Sequence, residues 1–175
     1  MLPIPQRAGN ASVRFRVACR QDHPALQVRI RTRDMEYLKA FLAGFASTLL
    51  FHQGLLALLH SAGATSYAAY SMQATAPLHV PQAFSLAFWG GMWGIALWPL
   101  LRRARSAFTY WSLALVLGAL APSVVALFVI FPMKDLPLAG DWRPDLMFGA
   151  LLLNAVWGLG VALLMHVFRD EEPQH

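Results

Sequence analysis

Residues 38–60, LKAFLAGFASTLLFHQGLLALLH, decide the fold class. Apart from Lys39 at its start, this run has no side chain charged at neutral pH, and its length matches the ~20 residues that cross ~30 Å of hydrocarbon as a helix. Three further stretches, 82–101, 108–131 and 146–168, have the same character. Four such runs predict an all-α fold, an integral membrane bundle of four transmembrane helices. Composition points the same way: 57% hydrophobic residues, 13% charged and a mean hydropathy of +0.47 exceed what a soluble domain normally carries. The spans absorb about half of the 175 residues, which leaves room for one helical domain over 35–175 and a basic tail over 1–34.

The loops predict an orientation, because Lys and Arg beside a span stay on the cytoplasmic side. Arg7, Arg14, Arg16, Arg20, Arg29, Arg31, Arg33 and Lys39 precede the first span, whereas 61–81 contains no Lys or Arg. Arg102, Arg103 and Arg105 follow the second span, and in the third loop Lys134 and Arg143 are offset by Asp135, Asp141 and Asp145. Both termini are expected in the cytoplasm of a bacterial cell, with the chain in the inner membrane. The formal net charge of +5 then describes topology and contact with anionic lipid, and nucleic acid is not an expected partner.

The tail itself alternates apolar and basic residues at Val13-Arg14-Phe15-Arg16-Val17 and Val28-Arg29-Ile30-Arg31, a strand-like period. An isolated hairpin is marginal in water, so a disordered tail is the expectation. Met35, just before the first span, is an alternative start of translation. Ala62-Gly63-Ala64 has the form of a signal-peptide cleavage site, but an apolar run near 20 residues is long for a leader, and His52 and Gln53 inside it suit a retained helix.

Spacing within the spans predicts which faces touch. Gly90 and Gly94 form a small-xxx-small pair, Gly44 and Thr48 another, and Ala150, Asn154 and Gly158 a longer stripe. Small residues let helix backbones approach in lipid, so packing is the expected role of these positions. Gly118 precedes Pro122, which is expected to bend the third helix and release a carbonyl. Tyr37, Trp98, Phe108, Tyr110, Trp111 and Trp142 are placed as interfacial anchors. Trp89, Trp93 and Trp157 lie deeper, as lipid-facing bulk or bundle filler, with a stacking wall for a ligand as the rarer use.

Counting inward at 1.5 Å per residue puts His52, Gly90, Ser123 and Asn154 each about 12 Å from the outer end of its helix. His52, Gln53, Ser123 and Asn154 thus make a candidate polar layer, satisfied by hydrogen bonds across the bundle or lining a path for a small solute or proton. A weak repeat runs through the same region: Trp93-Gly94 and Trp157-Gly158 sit alike in the descending helices, as do Gly44 and Gly118 in the ascending ones. Two hairpins related by an axis along the membrane normal produce that pattern.

No catalytic, metal or cofactor site is expected. His52 and His166 differ by roughly 15 Å in depth and cannot flank one haem; His60 and His79 lack a further ligand; the lone Cys19 allows no thiolate cluster; and Ser47, Ser85 and Ser123 lack a nucleophile-elbow setting. The segments 44–54, GFASTLLFHQG, and 87–94, AFWGGMWG, resemble small four-span inner-membrane proteins of Proteobacteria, over about residues 35–166. The resemblance implies a location and brings no activity or ligand. A non-enzymatic membrane interaction or accessory protein is the first expectation, a small permease or channel-like protein the alternative. The expected partners are the lipid bilayer and a second copy or another membrane protein.

Overall fold

The computed structural model describes residues 24–75 and 79–170, with side chains described over 33–75 and 79–169. Among the described residues four helical rods alternate in direction, and four segments are long and apolar enough to cross a membrane: Arg33–Ser61, Gln82–Leu101, Ala107–Met133 and Pro144–Arg169. A backbone in hydrocarbon has no water to bond with, so helices that satisfy their own polar groups are the expected solution for such runs.

The first rod is α1 (Pro24–Ser47), a π-helical turn (Thr48–His52) and α2 (Gln53–Ser61). It therefore starts well before the predicted span. Residues 24–34, read above as part of a disordered tail, are helical, and Val28–Arg31 does not form a strand. A four-residue alternation is too short to compete with a helix already nucleated by the adjoining span. Residues 1–23, with the alternation at Val13–Val17, lie outside the described residues.

The second rod is α3 (Gln82–Leu101). A short turn leads to α4 (Ala107–Val125), whose N-cap Ser106 accepts a hydrogen bond from the Thr109 amide at 3.1 Å. Helix α4 runs through Pro122 into a second π turn (Ala126–Ile130) and a final turn, α5 (Phe131–Met133). The fourth rod is α6 (Pro144–Asp170).

Each hairpin closes on small residues. In the first, a side-chain carbon at Gly44 would run into the Gly90 carbonyl and lie 3.1 Å from Gly91 Cα, while one at Gly94 would meet the Ala40 carbonyl and lie 3.1 Å from Gly44 Cα. In the second, Gly158 opposes the Ala114 carbonyl, and a carbon there would lie 2.8 Å from Gly118 Cα. Ala40, Gly44 and Gly94 thus do in one hairpin what Ala114, Gly118 and Gly158 do in the other. The ascending members are offset by 74 positions and the descending ones by 64. Direct backbone contact of this kind gives dispersion energy that larger side chains would prevent.

The hairpins meet along the first and fourth spans. Ser47 Oγ donates to the Trp157 carbonyl at 2.7 Å, and Trp157 Nε1 donates to the Gly44 carbonyl at 3.1 Å. Gly160 leaves room for Ser47 and the Phe51 ring. Below this seam, toward the arginine-rich end, a buried cluster of Ala40, Leu97, Trp98, Leu101, Val161 and Met165 forms the core. Trp98 is only 3% exposed, and Tyr110 and Trp111 pack against the same cluster. Trp98, expected as an interfacial anchor, instead fills the core, while Tyr110 and Trp111 stay partly exposed at the end of their span.

At the opposite end the first loop is ordered by a two-residue antiparallel ladder, β1 (Ala74–Thr75) with β2 (Val80–Pro81), which leads directly into the second span. The Gln82 and Ala83 amides, at the helix start, donate to the Gln73 and Ser71 carbonyls at 2.9 and 3.0 Å.

Candidate functional site

The four residues of the predicted polar layer separate into local arrangements. Asn154 Nδ2 donates to Ser123 Oγ at 2.9 Å, joining the third and fourth spans beside the Gly118–Gly158 contact. Ser123 is fully buried and Asn154 half-buried. The pair is thus part of one hairpin's closure.

Gln53 has a different task. Its side chain is buried, at 2% exposure, and Oε1 accepts a hydrogen bond from the Tyr70 amide at 2.8 Å. The Tyr70 hydroxyl reaches the Leu49 carbonyl at 2.8 Å. Leu49 lies within the π turn. Two hydrogen bonds therefore fasten the first loop across the far half of the first span. Tyr70 sits at φ 55°, in the left-handed region that non-glycine residues seldom occupy, so the fastening holds a strained backbone.

His52 occupies the last position of that π turn. Its Nδ1 atom is buried and has no hydrogen-bond partner among the described residues. No bond joins His52 to Asn154, although counting residues puts them at one depth. Depth along a helix says nothing of azimuth, and His52 belongs to one hairpin while Asn154 and Ser123 belong to the other.

The remaining small positions lie as follows. Thr48 Oγ1 donates to the Gly44 carbonyl at 3.0 Å and fills the space over Gly90, Gly94 and Gly158 lie at the hairpin contacts, and Ala150 is half-buried toward the far end of the fourth span. Trp157 is buried between the hairpins, Trp93 packs at the edge of the core, and Trp89 is 60% exposed on the rim of the second span.

Ser47 and Tyr70 carry contacts that sequence reading missed. Ser47 falls one residue before Thr48, off the face that Gly44 and Thr48 share, so its position on the seam follows only once the fourth span is packed there. Tyr70 lies in a loop where no periodicity applies. Among the described residues no group of three His, Cys, Asp or Glu side chains converges as a metal would require. In the third loop Arg143 is paired with Asp145 at 2.6 Å, and this hydrogen bond raises the guanidinium above its ordinary pKa. Comparison with protein-family models, with curated proteins and with solved structures finds no match to this chain.

Proposed function

We propose that this chain is a small multi-pass protein of the bacterial inner membrane, with both termini cytoplasmic, that acts as an interaction or accessory protein. The observation that carries the reading is the use made of polar groups inside the spans: Ser47, Ser123, Asn154 and Gln53 all join one segment of the chain to another. A scaffold so assembled presents its specificity outward. The second span offers the surface for it, with Phe84, Phe88, Trp89 and Met92 exposed along one helix. The resemblance to four-span inner-membrane proteins and the arginine distribution support the location.

Topology is tested by reporter fusions. Alkaline phosphatase is expected to be active when fused near Ser71 and inactive near Ser106 or after His175; activity at Ser106 would overturn the orientation. A photo-crosslinker at Trp89 is expected to yield one discrete protein adduct, and labelling of lipid alone would remove the interaction reading.

One observation favours a small permease or channel-like protein instead: the unpartnered His52 Nδ1 on a π turn, a distortion frequent at functional sites. Proteoliposomes carrying a pH-sensitive dye separate the readings. For a scaffold, proton flux equals that of protein-free vesicles. Asn154→Leu then lowers stability by about 0.6 kcal/mol, the average for interhelical side-chain bonds in membranes. Flux that His52→Leu abolishes at unchanged stability would establish the permease.

A further inference from the structure

At the arginine-rich end, a cavity of about 510 Å³ opens between the first, second and fourth spans. Its volume is in the range of small-ligand sites. The floor is apolar, made by Trp98 and Met165, both of which belong to the buried core. Among the described residues the walls carry Lys39, Arg102, Arg103 and Arg169, with Glu36 as the one carboxylate.

Glu36 is already engaged. Its Oε2 accepts from Trp98 Nε1 at 3.2 Å and from Arg102 Nη1 at 3.3 Å. Lys39 Nζ donates to the Phe168 carbonyl at 3.3 Å. Arg103 and Arg169 hold no ion pair among the described residues, and each presents a planar fork suited to two oxygens of one phosphate. We propose that this cavity is a binding site for a phosphate-bearing anion, with the headgroup of an anionic phospholipid as its source in the membrane.

Two comparisons within the molecule support a built site over an ordinary basic rim. The second hairpin makes the equivalent junction with a neutral hydrogen bond: Tyr110, the counterpart of Glu36, donates its hydroxyl to the carbonyl of Ala162, the counterpart of Trp98, at 2.8 Å. Leu113 stands where Lys39 stands, and His166 where Arg102 stands. Closing a hairpin at this level therefore needs no carboxylate–arginine pair such as Glu36 and Arg102. Arg105, which serves orientation as well as its neighbours, lies outside the cavity lining. Position gives the lipid its advantage over a free anion, since the cavity opens at the ends of three membrane-spanning helices, the level at which headgroups lie.

The test uses the purified full-length chain in a neutral detergent, titrated with phosphatidylglycerol, with phosphatidylcholine, and with inorganic phosphate, and read by thermal unfolding and by retention of lipid in native mass spectrometry. Phosphatidylglycerol is expected to bind and phosphatidylcholine not. Arg103→Gln and Arg169→Gln should each weaken binding about fivefold, as the loss of one near-surface cation implies, and Arg105→Gln should leave it unchanged. Unaltered circular dichroism and elution of the variants would separate lost binding from lost folding, and Arg103→Lys should lose less than Arg103→Gln. Saturation by inorganic phosphate with no preference between the lipids would keep the site and assign it to a soluble anion. Equal binding of both lipids with no response to phosphate would overturn the proposal. So would an Arg105→Gln effect as large as the others, which would mark a diffuse surface charge.

Discussion

Gly44→Leu is expected to give the largest loss of stability of any single substitution in the first hairpin. The atoms facing Gly44 are backbone, the carbonyl of Gly90 and Cα of Gly91, and no rotamer change clears them. The helices must separate, which also opens the Gly94–Ala40 contact and moves the Gly44 carbonyl away from Trp157. Overpacking of a close-fitted core typically costs ~1–3 kcal/mol and can exceed that, so unfolding by heat or by titrated SDS should show a drop at the upper end. Gly149→Leu is the matched control. It lies in a span with nothing within 4 Å of an added carbon, and the better helix propensity of the new residue should leave stability unchanged or raised by up to ~1 kcal/mol. Equal losses at both positions would show that close approach is not what holds the hairpin.

Trp157→Ala should be of similar size by a different route. The indole is buried between the hairpins, and its removal leaves a cavity that only helix movement could close. Truncations of buried Trp typically cost ~3–5 kcal/mol. Trp157→Phe divides the effect: it keeps most of the volume and removes the bond to the Gly44 carbonyl, for which ~0.6 kcal/mol is the membrane average and ~1.7 the observed upper end. Two-step unfolding of Trp157→Ala, with one hairpin outlasting the other, would place the residue at the joint between independent units. A single unchanged transition would contradict its role as the clasp.

The four spans and the glycine contacts were legible because both rest on periodicity and residue size. Hydrophobic length marks a span without reference to any neighbour, and a small-xxx-small spacing marks a face that can be approached. Pairwise polar contacts were not legible. The Asn154–Ser123 bond and the isolation of His52 depend on rotation about the helix axes, to which a count of depth is blind. Trp98 illustrates the same limit: its place near the end of a span suggested a headgroup anchor, yet Glu36, one helix away, draws it inward. Tyr70 was invisible for another reason. A loop residue in the left-handed region is recognised only once the carbonyl it serves is known.

The π turn at Thr48–His52 also governs which way the two halves of the first span look. It holds one residue more than an α-helical turn, and one residue corresponds to about 100° of rotation. Wound as a regular α-helix at its full length, the span would swing everything beyond this point by that angle. Below it, Ala40, Gly44 and Ser47 would still address their partners; above it, Gln53 would turn away from Tyr70. The wide turn thus absorbs the surplus residue and keeps Gln53 facing the loop, and it marks the point where deletion of one residue, Leu50 for instance, would restore regular winding and leave the loop fastened.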